Sequence, residues 1–436
     1  MHDESRPVRA PVALPADEPP ARRFLRTLGP GLITGASDDD PSGIATYSQS
    51  GAQFGFSILW TLLFSYPLMT AIQEISARLG RVTGRGIAAN MRRIYPRWVV
   101  FPLIGLLLGA NTLNLAADIS AMGAALQLLI GGPAAVYAAL LAVGSLLLQV
   151  FIPYTRYAAF LKWLSLTLFA YVGTVFTVHI PWGKVLRGTV LPHVSLNAEY
   201  LTVLVAVLGT TISPYLFFWQ ASAESEEVKG APNDKPLRRA PEQARAQLAR
   251  IRIDTYFGMA VSNLIAFFIV LTTAATLHAA GKTDIATAAQ AAEALRPVAG
   301  PFAFLLFGSG IVGTGLLAIP VLAGSAAYAV SEAFRLRTGL GRKPADAIGF
   351  YAVLAAATLL GLGLTFTPID PIRALFWSAV LNGIAAAPVM AAVMLMTTNA
   401  RVMGRFTLPW SLRVTGWAGT ATMALAAVGM FVTWGK

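Results

Sequence analysis

Long apolar runs separated by short polar, arginine-rich stretches recur from residue 25 to residue 434. The pattern predicts eleven membrane-spanning helices, over 25–53, 57–80, 98–131, 133–152, 158–180, 200–224, 250–276, 299–333, 347–366, 371–397 and 408–434. Each approaches or exceeds the roughly 20 residues that a bilayer requires. The longer runs need tilt, a break or extension beyond the bilayer. Residues 1–22 lie outside the pattern. They are polar and proline-rich without an apolar core, and read as a disordered cytoplasmic tail rather than a cleavable signal peptide. Segment 225–250 is the longest polar loop, mixing Glu226, Glu227 and Asp234 with many basic residues, with some helix expected near 240–250.

Composition sharpens this picture. The chain is 56% hydrophobic and 12% charged, where soluble domains carry about 25% charged residues. The expected fold class is all-α and polytopic, without a folded soluble domain. A net charge of +12 raises nucleic acid as a partner, but the distribution argues against it. The basic residues fall in alternate loops: Arg78, Arg81, Arg85, Arg92, Arg93 and Arg97; Arg156 and Lys162; Lys229, Lys235, Arg238, Arg239, Arg245, Arg250 and Arg252; Arg335, Arg337, Arg342 and Lys343; Arg401 and Arg405. The opposite loops hold mainly Lys184, Arg187, Lys282 and Arg296. This is the positive-inside pattern. It places the amino terminus (Arg22, Arg23, Arg26) in the cytoplasm and Lys436 outside an inner, plasma membrane. The expected partners are the bilayer and a transported ion, with no obligatory protein partner and no nucleic acid. Cysteine is absent, which excludes disulfides, thiolate metal sites and cysteine catalysis. No phosphate loop, His-Glu-x-x-His helix or nucleophile triad is present, so an enzyme and an ATP-driven pump are not expected.

Two spans are interrupted. The first carries Asp38-Asp39-Asp40-Pro41-Ser42-Gly43, and the sixth carries Gly209-Thr210-Thr211-Ile212-Ser213-Pro214-Tyr215. A carboxylate at membrane depth costs roughly 2.5–3.5 kcal/mol on insertion scales and defaults to a functional reading. Proline removes a backbone donor, and glycine permits irregular dihedrals. Matching breaks five spans apart point to an inverted five-plus-five repeat with its site between the breaks. The repeats would cover 23–180 and 181–397, with the eleventh helix in 398–436. Asp40 is the expected principal cation ligand. Thr210 and Thr211 offer carbonyls where the sixth helix unwinds, and Ser213 offers a hydroxyl. Neighbouring helical residues point about 100° apart, so Asp38, Asp39 and Asp40 cannot all face one site within a regular helix. Asp39 joins the metal set and Asp38 the pathway. Tyr47, Tyr215, Asn111, Asp118 and Trp219 complete the candidate pathway. Glu74 and Arg78 are spaced for an intrahelical pair. Asn111, Asn114, Asn263 and Asn382 are placed to bond across helices. Glu224 and Glu226 close the cytoplasmic end of the sixth span.

The residues also resemble a family. Asp40-Pro41-Ser42-Gly43-Ile44-Ala45-Thr46, continuing to Gly51-Ala52-Gln53-Phe54-Gly55, is similar to the first helix of the Nramp divalent-metal transporters, whose hallmark is Asp-Pro-Gly-Asn. Ser76-Ala77-Arg78-Leu79-Gly80 and Thr83-Gly84-Arg85 extend the likeness, and Pro214 is in register with the family's Met-Pro-His region. The resemblance implies the leucine-transporter fold, with substrate held between the broken first and sixth helices. Departures accompany it. Gly43, a further candidate metal residue, stands at the family asparagine, Ser213 at the methionine and Tyr215 at the histidine. Asp118 matches one acidic position used for proton transfer, but Asn111 and Ala121 occupy two others, and Ala379 stands at a glutamine. A thioether is a soft ligand, and Mg²⁺ prefers oxygen at about 2.0–2.1 Å while keeping several waters. These departures resemble the Nramp-related magnesium transporters. They imply Mg²⁺ cargo, with Mn²⁺ as a further cargo, moved by alternating access without proton coupling and without any cofactor. A proton-coupled Mn²⁺/Fe²⁺ transporter and an amino-acid carrier on the same fold are the alternatives.

Overall fold

The computed structural model describes residues 30–152 and 166–434. The predicted tail 1–22, the start of the fifth span, Arg156, Lys162 and Lys436 lie outside the described residues. Among the described residues every regular element is a helix. The first span is α1 (Pro30–Asp38) and α2 (Pro41–Phe54). Then come α3 (Trp60–Thr83), the short α4 (Ile87–Ile94), α5 (Arg97–Ile130), α6 (Ala134–Phe151), α7 (Phe169–Val175) and α8 (Trp182–Val190). The sixth span is α9 (Ala198–Thr211) and α10 (Pro214–Gly230). It is followed by α11 (Ala244–Thr273), α12 (Ala303–Phe334), α13 (Ile348–Leu364), α14 (Pro371–Thr397) and α15 (Trp410–Thr433).

These helices fall within a few residues of the expected spans. Among the described residues, seven stretches are long and apolar enough to cross a bilayer on their own. The pair Pro41–Ile58 and Trp60–Thr83 passes the same test together, and the 109° bend between them separates the first span from the second. Leu166–Val175 and Ile348–Leu364 are shorter apolar helices. At 34 residues, α5 is about 51 Å long, so it tilts or projects beyond the roughly 30 Å hydrocarbon layer. It packs against α12, α14, α6 and α13, which makes it a central strut.

Burial orders the spans. The apolar window of Ala198–Gly230 is 94% buried, and that of Ala134–Phe151 only 22%. The sixth span is therefore the interior of the bundle, while the fourth faces lipid. Backbones approach closely where side chains are missing. A Cβ added at Gly209 would lie 2.1 Å from the Ala379 carbonyl oxygen on α14, and one at Gly35 would lie 2.3 Å from the Gly258 oxygen on α11. Small residues permit such contact where no hydrophobic drive separates helix from lipid.

The polar loop is shorter than expected. Helix α10 continues to Gly230 and a helical turn restarts at Pro241, leaving 231–240 rather than 225–250. Ion pairing across the two helix ends accounts for the difference. Arg250 meets Glu224 at 2.6 Å and Glu227 at 3.1 Å, so the acids extend α10 instead of a solvated loop. Within that loop Asp234 pairs with the buried Arg81 at 2.6 Å. Glu226 accepts from the Tyr328 hydroxyl at 2.7 Å and the Leu340 N–H at 3.0 Å. Glu74 and Arg78 form the intrahelical pair, at 2.6 Å.

Candidate metal centre

The first break is made by local chemistry. Pro41 occupies the first turn of α2, where its missing N–H costs nothing. Asp40 is the N-cap in extended conformation (φ −70°, ψ 170°), and its Oδ1 accepts the Gly43 N–H at 2.7 Å. An aspartate there is a preferred cap. Its other oxygen, Oδ2, accepts from Asn114 Nδ2 of α5 at 3.0 Å and from the Tyr215 hydroxyl of α10 at 3.2 Å. Asn114 Oδ1 in turn accepts the Ser378 hydroxyl of α14 at 2.6 Å. The first, third and sixth spans thus converge on one carboxylate that is 1% exposed, and the tenth joins through Asn114. Among the described residues none of its hydrogen-bonding partners is cationic. A buried carboxylate served only by neutral donors is left short of positive charge, and such groups are paired with cations or coordinate metals.

The second break lies beside it. Helix α9 stops at Thr211, Ile212 leaves helical geometry (φ −122°, ψ 60°), and Ser213 precedes Pro214 at the start of α10. The Ser213 hydroxyl donates back to the Gly209 and Thr210 carbonyls at 2.8 and 2.9 Å. Its proton is committed to the helix end, which leaves oxygen lone pairs. Thr211 donates to Val207 O at 3.0 Å. A Cβ at Gly43 would lie 3.2 Å from Thr210 Oγ1 and 3.4 Å from the Tyr47 ring. Glycine at 43 therefore lets the two breaks meet.

The acidic triplet divides. Asp38 Oδ2 and Asp39 Oδ1 accept from the Ser262 hydroxyl on α11, at 2.7 and 3.1 Å, while Asp40 faces α5 and α10. The break causes this split: α1 ends at Asp38, Asp39 and Asp40 are non-helical, and Asp40 turns to cap α2. Consistently, no group of three or more His, Cys, Asp or Glu side chains able to hold a metal occurs among the described residues. Asp118 lies one turn beyond Asn114 on the same face of α5. It is fully buried, with the backbone of Ser42 at the start of α2 directed at its carboxylate. Asn111 is turned to α12, where it donates to Leu322 O at 3.1 Å and Ser325 Oγ at 2.6 Å. Trp219 also faces α12, edge-on to Tyr328 with ring centroids 6.2 Å apart. Asn111 and Trp219 are thus outside the cluster around Asp40, whereas Gly43 and Tyr215 bond to Asp40 directly, Thr210 abuts Gly43, and Ser213 lies two residues before Tyr215.

Ser378 and Ser262 were not singled out by sequence reasoning. A lone serine in an apolar helix carries no pattern, because it usually satisfies itself on its own backbone. Asn114 was read only as a cross-helix donor. Its position predicts more: Asn114→Leu should lower metal uptake about 10- to 100-fold, the range typical for partners that orient a metal ligand. Unchanged uptake kinetics in vesicles would reduce Asn114 to a packing residue.

On the face opposite the basic loops, a cavity of about 690 Å³ is lined by Ser120, Ala121 and Gln127 of α5 and by Asp370, Pro371 and Ile372 at the start of α14. Its lining reaches Ala121, three residues along α5 from Asp118.

The family model described as natural resistance-associated macrophage protein-like matches residues 31–433. The chain is 27% identical over 403 residues to the divalent metal cation transporter MntH of Klebsiella pneumoniae strain 342, covering 90% of each chain. It is 26% identical over 424 residues to MntH of Burkholderia ambifaria, covering 94% of this chain and 89% of that one. Among solved structures, the Eremococcus coleocola manganese transporter superposes with a TM-score of 0.75 at 18% identity, over 96% of this chain and 89% of that one. The inward-facing conformation of Mhp1 superposes with a TM-score of 0.51 at 13% identity, over 93% and 91%. The fold is that of the leucine transporter, an inverted five-plus-five repeat with an eleventh helix.

Proposed function

The chain belongs to the Nramp family, and from that premise we propose that it is a secondary transporter of divalent metal cations, with Mn²⁺ as the principal cargo. The observation that carries the reading is Asp40. It is a buried carboxylate at the meeting of the two broken helices, held by neutral donors from its own helix and two other spans and lacking a counter-charge. A divalent cation supplies that charge. Asp40 would ligate it directly, with Ser213 Oγ and the backbone of Thr210 and Thr211 as neutral oxygen donors. Asp39 and Asp38, tied to Ser262, would act at the margin of the path. Alternating access then requires the two half-helices to move relative to the third and tenth spans.

The magnesium preference inferred from the departures gives way to manganese. Carboxylate, carbonyl and water ligands suit Mg²⁺, Ca²⁺ and Mn²⁺ alike, so the absence of a thioether at Ser213 does not single out Mg²⁺. The relatives carry the name divalent metal cation transporter, and the solved neighbour is a manganese transporter. Proton coupling belongs to this reading, with Asp118, a buried carboxylate at a position acidic in the family, as the candidate proton carrier. Mg²⁺ without coupling is the second reading, supported by the all-oxygen donor set and by Asn111 and Ala121 at two positions that are acidic in the family. A carboxylate-bearing amino acid is a poor fit, because Asp40 stands where its anionic group would sit.

Uptake into proteoliposomes with internal pH recorded decides between these. Saturable Mn²⁺ uptake with matched acidification is expected; Mg²⁺ uptake without acidification and no Mn²⁺ flux would overturn the manganese reading. Ser213→Met adds a soft ligand, and we expect it to raise Cd²⁺ uptake relative to Mn²⁺ by about 10-fold, a difference of roughly 1.4 kcal/mol. An unchanged Cd²⁺/Mn²⁺ ratio would remove Ser213 from the ligand set. The membrane orientation belongs to the same proposal, with the amino terminus and basic loops cytoplasmic and the carboxyl terminus outside, in the plasma membrane. Single cysteines introduced into loops of this cysteine-free chain would report it.

A further inference from the structure

Three arginines from three elements gather on the face of the bundle that carries the basic loops. Helix α4 is amphipathic, with Ile87, Ala88, Asn90 and Met91 buried and Arg93 exposed. Glu332 of α12 accepts the N–H groups of Gly86 at 3.2 Å and Ala89 at 3.0 Å, which fixes the start of α4 to the end of α12. The Arg92 guanidinium donates to the Ala333 carbonyl at that same end. Arg335 follows directly, as the C-cap of α12 in left-handed conformation (φ 61°). Arg97 opens α5, and four residues on, the Phe101 ring lies 5.4 Å from that of Phe334. Among the described residues none of Arg92, Arg97 and Arg335 forms an ion pair with a carboxylate. Desolvation, followed by the charges of Arg335 and Arg97, holds the Arg92 pKa below its usual value.

Helix electrostatics account for only part of this cluster. Cations at the C-terminus of α12 complement its dipole, which explains Arg92 and Arg335. Arg97 sits at the opposite kind of end. It is the first residue of a 34-residue helix that has no side-chain cap and no acid in its first turn. A cation is unfavourable there, whereas an anion is favoured by the dipole and the unpaired N–H groups. One anion shared by the three guanidiniums and the α5 terminus resolves both problems. The surroundings identify its source. Trp98 is 76% exposed and Phe334 59%, with Phe101 and Leu336 also exposed. Large apolar side chains at the ends of two spans belong at the bilayer boundary, so the anion is attached to acyl chains.

We propose that Arg92, Arg97 and Arg335 form a binding site for the phosphate of an anionic phospholipid, where α4, α5 and α12 meet. Basic pockets between spans bind such headgroups through the same charge complementarity. The site ties α4 and the loop after α12 to the membrane plane, outside the proposed metal path.

The test is lipid binding by the purified full-length protein, measured by native mass spectrometry during titration with phosphatidylglycerol, phosphatidylcholine or inorganic phosphate. Saturable binding of phosphatidylglycerol alone is expected. The triple variant Arg92→Gln, Arg97→Gln, Arg335→Gln should weaken it about 100-fold, from roughly fivefold per arginine. The double variant Arg342→Gln, Lys343→Gln removes charge from the same face and should leave it unchanged. Equal binding by the triple variant and the parent overturns the proposal. So does an equal loss in the double variant, or displacement by inorganic phosphate at the lipid's own concentration. Should the triple variant not fold, Arg97→Gln alone is expected to weaken binding about fivefold, and unchanged binding by that variant also overturns it.

Discussion

Asp40→Asn is expected to abolish metal uptake while leaving the protein folded. The substitution separates two roles of one side chain. Asparagine is as good an N-cap as aspartate, so the Gly43 N–H that Asp40 accepts at 2.7 Å keeps its partner and α2 keeps its start. The charge is lost. With the oxygen of the substituted side chain on Gly43, its NH₂ group faces Asn114 Nδ2 and the Tyr215 hydroxyl, both of which donate to Oδ2 of the native aspartate. Donor against donor costs about 1–3 kcal/mol per orphaned group, within reach of a stable bundle. A divalent cation placed there would lose its direct anionic ligand, because Asp38 and Asp39 are turned to Ser262 and Asp118 lies a turn away along α5 from Asn114. The loss in Mn²⁺ uptake should exceed the 10- to 100-fold typical of a residue that merely orients a ligand. Uptake by reconstituted protein, together with calorimetric Mn²⁺ binding, checks this. Transport within about threefold of the parent, well short of that range, would show that Asp40 is only a helix cap.

Gly35→Val is expected to pry α1 away from α11 and hold the transporter open on the face with the basic loops. A Cβ at this position would lie 2.3 Å from the Gly258 carbonyl oxygen and 2.5 Å from its carbon. Those are backbone atoms, which cannot give way as a flexible side chain can. Overpacking of this kind costs about 1–3 kcal/mol, and the cheapest relief is movement of α1 itself. That helix has nine residues, too few to be stable alone. Its polar anchors to other helices are Gly31 N–H to Asp254 at 2.7 Å, Thr34 to Gln220, Asp38 to Ser262 and the Tyr215 hydroxyl to the Ser37 carbonyl at 3.3 Å. It ends at a non-helical break before α2, which serves as its hinge. A bias of 1–3 kcal/mol shifts a two-state equilibrium about 5- to 150-fold. Ser37→Cys provides the reporter, because the chain has no native cysteine and Ser37 is fully buried. An impermeant thiol reagent applied to the basic face should modify it roughly tenfold faster in the Gly35→Val background, the lower part of that range. An unchanged rate in folded protein would show that α1 is not the moving part.

Much of the architecture is legible in one dimension, for reasons that hold in any context. A spanning helix must satisfy its own backbone, so apolar runs of about 20 residues translate directly into spans. Pro41 and Pro214, each after a polar residue that leaves helical geometry, mark helix starts. Pro67, Pro102, Pro320 and Pro388 lie inside helices, so the flanking polar residues and not proline alone make the breaks legible. Glu74 and Arg78 lie on one helix at a spacing that brings them together whatever surrounds them. The limits of segment 225–250 were less legible, because Glu224 and Glu227 pair with Arg250, a partner on another helix.

The site was only half legible. That the three acids could not all face the cation followed from the 100° step between residues. What Asp40, the expected ligand, would lie against did not. Asn111 and Asn114 lie three residues apart on α5, yet Asn111 bonds to α12 and Asn114 to Asp40. Trp219 reads as a pocket residue in an apolar span, but its ring meets Tyr328. Ser378 and Ser262 acquire roles only through the helices opposite them.

The sequence by itself determined that this protein is a bundle of spanning helices interrupted twice, five spans apart, with a carboxylate at the first break and hydroxyls at the second. Those are consequences of apolar length, proline geometry and the cost of charge in hydrocarbon, all local to the chain. The tertiary structure decided which side chains share the interior: Asp40 with Asn114, Tyr215 and Ser378, and Asp38 and Asp39 with Ser262. That choice depends on the rotation of each helix about its axis. Packing sets the rotation through close contacts such as Gly35 on Gly258 and Gly209 on Ala379, between residues far apart in the chain.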